Sequence, residues 1–274
     1  MTEARAFDTA AAGPRSDEVA ITFTDVTRRF GQVVALVDVN LVVKAGEFVA
    51  LIGPSGCGKS TMLRLASGLD TPTSGTIDCP SSEVGYVFQD PTLMPWRSVR
   101  RNVELLAQLE GMDRRTRTAR VDEVLETVGL TEFADHKPRQ LSGGMRMRAS
   151  LARSLVLDPD LFLFDEPFGA LDQITRTRLN VELLQLFTDR RFAALFVTHS
   201  VDEAVLLSSR IVVLSARPGR IAAAFDVPFD YPRSPDLRYE PAFGALAGQV
   251  ADALKHASGT ANPPTAEDSP EAVT

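Results

Sequence analysis

The amino-acid sequence predicts an α/β protein in which a wound parallel sheet carries an inserted helical segment. Three short, continuous apolar runs in the second half of the chain are typical of strands that are buried on both faces. Between the first two runs, apolar residues recur at helical spacing. Strands that alternate with helices in this way indicate a wound α/β core. The runs are Leu161–Phe164, Ala194–Val197 and Ile211–Leu214, and the helix carries Leu179, Leu183, Leu186 and Phe187.

The first third of the chain is predicted to consist mainly of strands. Turns at Phe30-Gly31 and Ala45-Gly46 separate its β-like runs, and Thr71–Gly75 makes a further turn. A helix is expected to follow Ile52 after a loop and to run to about Gly68. The predicted strands are Ala20–Phe23, Val33–Leu36, Val39–Val43, Phe48–Ile52 and Val84–Phe88.

The middle of the chain is predicted to be helical and to form an inserted subdomain at about residues 90–160. The composition is helical from Val99 to Leu109, and apolar residues at positions 121, 124, 125 and 128 then mark one face of a helix. A helix from Met145 to Leu157 follows, and apolar spacing predicts a last helix at 241–257. Residues 1–18 and 258–274 are predicted to be a disordered leader and tail.

Composition and charge exclude several classes of protein. A hydrophobic fraction of 44% in 274 residues is sufficient for a large buried core. The net charge of −7 argues against a nucleic-acid groove, and no apolar stretch approaches the ~18 residues of a membrane span. The N-terminus lacks the apolar region of a secretory signal. Only two cysteines occur, so a soluble protein of the reducing cytosol without a disulfide framework is predicted.

The segment Gly53–Ser60 fits the phosphate-binding pattern G-x-x-x-x-G-K-[ST] between a predicted strand and a predicted helix. Backbone N–H groups of such a loop surround phosphate oxygens, and the helix adds the positive end of its dipole. Lys59 is expected to reach the β- and γ-phosphates, and the Ser60 hydroxyl to bind Mg²⁺. The alternative is a glycine-rich turn without function. The predicted strand before the loop and the predicted helix after it disfavour this alternative. The predicted nucleotide-binding residues are Gly53, Pro54, Ser55, Gly56, Cys57, Gly58, Lys59, Ser60 and Thr61.

Polar side chains follow other predicted strands. Asp165 is expected beside Ser60 as a direct or water-mediated ligand of Mg²⁺, and Glu166 is placed to polarise the water that attacks the γ-phosphate. Gln89 ends the strand Val84–Phe88 and is predicted to add an amide oxygen to the metal shell. The alternative is that Asp165 and Glu166 are only solvated acids at the end of a strand. The phosphate loop earlier in the chain disfavours this alternative.

His199 follows the strand Ala194–Val197, at the sheet edge where ligands gather. Ser200 and Glu203 form a predicted capping box that begins the next helix and holds His199 at this edge. A lone histidine is usually structural, but this position predicts a contact with the γ-phosphate.

The segment Leu141–Met145 begins a further helix from a small polar loop, and a helix N-terminus is a second potential anion site. One nucleotide does not need two such cradles on one chain. A dimer resolves the difficulty if each of these loops covers the γ-phosphate that the other subunit binds.

The whole set of motifs closely resembles the ATP-binding subunit of ABC transporters over about residues 19–220. The resemblance implies a P-loop NTPase (RecA-like) core, an N-terminal antiparallel β subdomain and the inserted helical subdomain, within an ATPase domain at 19–240. It also implies ATP and Mg²⁺ as cofactors and a homodimer that forms with ATP. The motifs are Gly53–Ser60, Gln89, Leu141–Met145, Asp165-Glu166, Gly169–Asp172 and His199.

By position, the resemblance implies roles for individual residues. Phe30 matches the aromatic residue that stacks on adenine, Gln89 the loop that senses the metal and the permease, and His199 the switch histidine. Met145 stands where the family usually has glutamine, a departure that affects one polar contact, while backbone amides and Ser142 carry the main contact. The residues matched to the partner subunit's ATP are Ser142, Gly143, Gly144 and Asp172.

A finer resemblance is to the nitrate, sulfonate and taurine importer branch. It implies integral-membrane permease subunits as partners, a solute-binding protein as an indirect partner, and a peripheral location at the cytoplasmic face of the cell membrane. The segments that carry it are Gln89–Trp96, Leu141–Arg148, Val201–Val205 and Arg217–Ile221.

Two other classes of P-loop protein compete with this interpretation. A non-transport ABC ATPase, acting as a nucleotide-dependent dimerising switch, usually carries two cassettes or a long inserted coiled coil. A small-molecule kinase would leave Leu141–Met145 and Gly169–Asp172 unexplained.

Two local patterns give further predictions. Leu93, Met94 and Trp96 belong to an apolar patch directly after Gln89, which is predicted to bind a cytoplasmic helix of the permease. The alternative is that Trp96 folds inward as core. Cys57, beside a helix N-terminus and a lysine, is predicted to be a reactive thiol, with a tolerated small residue as the alternative.

Overall fold

A computed structural model describes residues 18–81 and 83–259 of the chain. The described residues form two β-sheets, one antiparallel and one mostly parallel, with helices packed on the larger sheet. The predicted fold class is confirmed. The strands are β1 Val19–Phe30, β2 Val33–Lys44, β3 Phe48–Ile52, β4 Ser74–Asp78, β5 Val84–Val87, β6 Leu161–Asp165, β7 Ala193–Val197, β8 Arg210–Leu214 and β9 Ile221–Asp226.

The antiparallel sheet has the order β2-β1-β4. β2 is one strand where two shorter runs were predicted, because Asp38 with a φ of 49° kinks the strand without ending its pairing with β1. Ser74 and Gly75 were predicted to lie in a turn, which is wrong, since they begin β4. This short strand is mostly exposed, so it lacks the apolar run that would have indicated it.

The larger sheet has the order β5-β6-β7-β3-β8-β9. Its first five strands are parallel, and β9 pairs antiparallel with β8 at the edge. β9 was not predicted because its residues alternate between half-buried and exposed. The carboxyl ends of β5, β6, β7 and β3 therefore lie side by side at one edge.

Seven α-helices lie in the described part of the chain. Those of the inserted subdomain are α2, α3 and α4, which come between β5 and β6. α4 begins two residues earlier than predicted because the Ser142 hydroxyl caps it by accepting from the Met145 N–H. The helices are α1 Lys59–Ala66, α2 Val99–Leu109, α3 Arg114–Thr127, α4 Gly143–Leu155, α5 Gln173–Arg190, α6 Val201–Leu207 and α7 Pro241–Gly259.

The core fills both faces of the larger sheet. β3 and β7 are buried at every position, and the Phe48 ring on β3 packs on those of Phe164, Phe187 and Phe196. Burial of such side chains is worth roughly 1.5–3 kcal/mol each. The strand ends are thereby held in a rigid frame, on which polar residues can be positioned.

The short helix α6 is held at its C-terminus by a buried arginine. The Arg233 guanidinium donates to the carbonyl oxygens of Val205, Leu206 and Ser208 at 2.9–3.1 Å. The Tyr231 hydroxyl donates to the Leu207 carbonyl at 2.6 Å. A cation at this end of a helix also opposes the negative end of its dipole.

Several expectations concern the ends of the chain. Residues 1–17 and 260–274, most of the predicted leader and tail, lie outside the described residues. Ser258 and Gly259, the first residues of the predicted tail, belong to α7. None of the helices within the described ranges is long and apolar enough to cross a membrane.

Candidate functional site

The phosphate loop joins the buried strand β3 to helix α1. Gly58 precedes the helix with a φ of 107°, a conformation that side chains of L-residues rarely adopt. A Cβ atom there would also lie 2.6 Å from Leu36 Cδ2. Glycine is therefore required at Gly58, and the loop backbone turns directly into the helix.

Helix α1 begins without a side-chain cap, whereas α2, α3, α4, α5 and α6 each have one. The first N–H groups of a helix have no partner within it, so an uncapped terminus favours an anion. The buried Lys59 amine donates to the carbonyl oxygens of Gly53 and Pro54, at 2.8 and 3.1 Å. A positive charge and the N-terminus of a helix without a side-chain cap are thus placed at one loop. The remaining predicted nucleotide-binding residues, Ser55, Gly56, Cys57, Ser60 and Thr61, lie in this loop and in the first turn of α1.

Asp165, at the end of β6, faces the first turn of α1. Its Oδ1 accepts from the Ser60 hydroxyl at 2.8 Å, and its Oδ2 from the Tyr86 hydroxyl at 3.5 Å. Burial raises the pKa of this carboxyl, against the smaller opposing effect of the Ser60 hydrogen bond. A hydroxyl and a carboxylate held together are oxygen donors of the kind that Mg²⁺ prefers, so these two residues fit the predicted metal.

Glu166 and His199 are brought together by the parallel pairing of β6 with β7, in which Asp165 lies opposite Val197. The His199 Nδ1 lies 3.4 Å from the Glu166 Oε2. Glu166 has a φ of 45°, a left-handed conformation that is uncommon for a residue with a side chain. Backbone strain of this kind occurs at functional sites. The predicted base and the predicted switch histidine are therefore neighbours.

The loop before α4 packs against the start of α5 instead of the phosphate loop. A Cβ atom on Gly144 would lie 2.7 Å from Thr175 Cγ2, and one on Gly143 would lie 3.1 Å from Leu171 Cδ2. Asp172 caps α5 by accepting from the Thr175 N–H at 3.0 Å, and this bond lowers the pKa of its carboxyl. Ser142, Gly143, Gly144 and Asp172 thus form a second cluster of predicted site residues.

Known proteins are similar to this chain over most of its length. Residues 36–169 match the family model described as ABC transporter. The nitrate import ATP-binding protein NrtD of Synechocystis sp. is 41% identical over 252 residues, which cover 86% of this chain and 95% of that protein. The aliphatic sulfonates import ATP-binding protein SsuB 1 of Mesorhizobium japonicum is 44% identical over 242 residues, with coverages of 86% and 88%. The chain belongs to the ABC transporter family.

This ABC ATPase also resembles solved ATP-binding cassettes. The dimeric post-hydrolysis state of the cassette MJ0796, bound to ADP and Pi, matches with a TM-score of 0.67 at 32% identity. The match covers 77% of this chain and 100% of that one. The predicted family, ATP binding and ATPase activity agree with these relatives.

Phe30 and Gln89 of the ABC ATPase are both exposed. The Phe30 ring is 47% exposed at the end of β1, and the Arg28 guanidinium carbon lies 4.4 Å from its centroid. One face of this ring is thus covered by a cation. Gln89 follows β5 at the edge that bears Asp165, but no hydrogen bond among the described residues joins its amide to Asp165 or Ser60.

The loop after Gln89 separates its apolar residues into two groups. Leu93 packs against the core, and the Met94 N–H donates to the buried Asn102 side chain at 2.7 Å. Trp96 is 71% exposed, so the alternative that it folds inward is wrong. The tryptophan stands on a loop that is anchored on both sides, since the Asn102 amide also donates to the carbonyl oxygens of Met94 and Arg97.

The prediction that Cys57 is a reactive thiol is contradicted. Cys57 is 1% exposed, and burial raises the pKa of its thiol more than Lys59 lowers it. A turn distant in sequence covers the loop, because Arg217 donates to the Gly56 carbonyl at 3.1 Å and Gly219 lies directly against the Cys57 carbonyl.

The predicted capping box is wrong in its second half. The Ser200 hydroxyl accepts from the Glu203 N–H at 3.3 Å, but the Glu203 carboxylate turns inward and accepts from the Thr198 hydroxyl at 2.5 Å. The Ser200 N–H is satisfied by Thr198 Oγ1 instead, at 3.0 Å. The inward direction of the Glu203 carboxylate was not predicted from the sequence. The hydrogen bond from Tyr86 to Asp165 was not predicted either, and its only signal was the position of Tyr86 within the predicted strand Val84–Phe88.

Proposed function

We propose that this ABC ATPase is the subunit that energises import of a small solute, such as nitrate, a sulfonate or taurine, through a separate membrane permease. The NrtD and SsuB 1 relatives, which cover nearly all of the ATPase domain, support this proposal. A non-transport switch is not favoured, since those relatives are import proteins and the helical insertion consists of separate short helices.

One observation carries the proposal at the level of chemistry. The buried Lys59 amine and the uncapped N-terminus of α1 lie next to the hydrogen-bonded pair Ser60 and Asp165. Charge, N–H donors and oxygen ligands are therefore gathered at the place where a β-γ phosphate group would bind.

The residues of the chain then divide the work of hydrolysis. Ser60, Asp165 and Gln89 would hold Mg²⁺, which would supply positive charge to the phosphate oxygens. Lys59 binds the β- and γ-phosphates. Glu166 orients and polarises the attacking water, and His199, beside it, contacts the γ-phosphate.

The second cluster supports a homodimer that forms with ATP. Ser142, Gly143, Gly144 and Asp172 lie at the starts of α4 and α5, away from the phosphate loop of the same chain, and each is suited to complete the site of a partner. Phe30 supplies its free face to adenine. A solute-binding protein delivers the solute to the permease, and the ATPase is bound at the cytoplasmic face of the membrane.

Glu166→Gln tests this proposal. The variant retains every phosphate contact, so ATP binding should persist while turnover falls by ~10²-fold or more. Light scattering should then detect an ATP-held dimer. Glu126→Gln, the same change at an exposed acid on α3, is the control and should leave turnover unchanged. A variant that stays monomeric with ATP and fully active contradicts the shared site.

Trp96→Ala tests docking on the permease. The side chain is 71% exposed, so basal ATPase activity and thermal stability of the isolated subunit should be unchanged, while co-purification with the permease should be lost. Tyr239→Ala, at an aromatic residue that is 86% exposed elsewhere, is the matched control. Unimpaired transport by Trp96→Ala removes the docking role.

A further inference from the structure

A buried carboxylate connects two loops that carry predicted site residues. Glu203 is 6% exposed, and its Oε2 accepts from the Thr198 hydroxyl at 2.5 Å. Its Oε1 accepts from the Asn180 amide at 3.5 Å and lies 3.9 Å from Arg176 Nε. We call Arg176, Asn180, Thr198 and Glu203 the Glu203 network.

The Arg176 end of this network holds the segment that leads to Asp172. The Arg176 Nη2 donates to the carbonyl oxygens of Gly169 and Leu171, at 3.3 and 3.0 Å. Its Nε is buried and has no hydrogen-bond partner among the described residues. The guanidinium is therefore fixed by the loop carbonyls on one side and attracted on the other side by the charge of Glu203.

The Thr198 end of the network holds His199. Thr198 directly precedes the histidine, and its hydroxyl oxygen accepts from the N–H of Ser200, which directly follows it. The two ends meet at Gly169, where a Cβ atom would lie 3.6 Å from both Glu166 Oε2 and His199 Cε1. The network thus borders the Glu166–His199 pair through Gly169 on one side and Thr198 on the other.

We propose that Arg176 and Glu203 are positioning residues for ATP hydrolysis, which fix the Gly169–Asp172 loop relative to His199. The inference rests on the proposed function, in which Asp172 faces a partner subunit. Displacement of that loop by the partner moves the Arg176 guanidinium relative to Glu203, and Glu203 passes the change through Thr198 to His199. Arrival of the second subunit is thereby linked to the geometry around the attacking water.

The test compares Arg176→Lys, Glu203→Gln and the double variant in steady-state ATPase assays. A glutamine still accepts from Thr198 but removes the charge, and a lysine keeps the charge but cannot reach both carbonyls. Each single variant should lower kcat by about tenfold with KM for ATP within about twofold. The double variant should lose no more than the worse single variant, because both changes break one network.

Arg178→Lys is the control, since it makes the same change on the same helix at a side chain that is 71% exposed, and it should retain kcat. Unchanged kcat in both single variants overturns the proposal. It is also overturned if the losses of kcat in the two single variants multiply in the double variant, or if KM for ATP rises as much as kcat falls. If Glu203→Gln does not fold, Arg176→Lys decides alone, by whether its kcat falls while its KM for ATP stays within about twofold. Failure of the proposed function would give a different result, because the wild-type protein would then hydrolyse ATP no faster than the Lys59→Ala variant.

Discussion

The phosphate loop and the loop before α4 each lead into a helix, yet they are built in opposite ways. α1 begins without a side-chain cap, beside the buried amine of Lys59. α4 begins at the exposed Ser142, whose hydroxyl already caps it. An uncapped terminus beside a buried cation is completed by an anion, whereas a capped and exposed loop is complete within the chain. This difference supports the proposal that each chain offers one half-site that takes the nucleotide and one that contacts a nucleotide bound to a partner.

Lys59→Ala should give the largest effect, because it removes the positive charge from the half-site that takes the nucleotide. Hydrolysis should be abolished, and binding of ATP to the isolated subunit should be strongly weakened in a fluorescence titration. The same titration on Ser142→Arg should show unchanged affinity, since Ser142 lies on the other half-site. Equal loss of affinity in both variants would end the distinction between the two loops.

Mixing the two inactive variants sharpens the comparison. Ser142→Arg should lose most of its turnover, since its bulky side chain would occupy the place where the partner's nucleotide is proposed to bind. Loss of the helix cap costs only about 1 kcal/mol of stability, so the variant should still fold. In a mixed dimer with Lys59→Ala, one of the two composite sites has both wild-type halves. The mixture should therefore hydrolyse ATP faster than either variant alone, and a mixture no better than its components argues against sites shared between chains.

Asp165→Asn should give a smaller effect, on stability. Burial raises the folded-state pKa of this carboxyl above its unfolded value, so it stabilises the fold while protonated and loses that contribution as pH rises through the folded pKa. At neutral pH the variant should melt about 2–5 °C higher than wild type while losing Mg²⁺-dependent hydrolysis. The two melting temperatures should converge in acid. Asp78→Asn, at an exposed acid, should not shift; a destabilised Asp165→Asn refutes the argument.

The parts of the fold that could be predicted from the sequence are those with an unambiguous local signal. The fully buried strands read as continuous apolar runs, and a polar residue after each run marks the functional edge, which is why Asp165 and His199 could be placed there. β4 and β9 were missed because half-exposed edge strands carry no such run. The capping box was predicted from local sequence spacing, whereas tertiary contacts decide which group the Glu203 carboxylate binds.

The site shows the same limit. Glu203 was predicted to turn toward its own helix terminus, yet it accepts hydrogen bonds from Thr198, which follows β7, and from Asn180 on α5. The reactivity of Cys57 was inferred from Lys59 and the adjacent helix. Its burial depends on a turn more than 150 residues further along the chain, as the contact between Arg217 and Gly56 illustrates, with a sequence separation of 161. No local pattern contains that information.

The arginine at the C-terminus of α6 links the helix after His199 to a later part of the chain. A seven-residue helix is too short to persist by itself in water. Arg233 reaches back to three carbonyl oxygens at the end of this helix and stabilises it from outside the sequence motifs. We expect a fragment that ends before residue 233 to retain every motif up to His199 and still to lose stability at α6, and a nascent chain to complete this helix terminus only after residue 233 has been made.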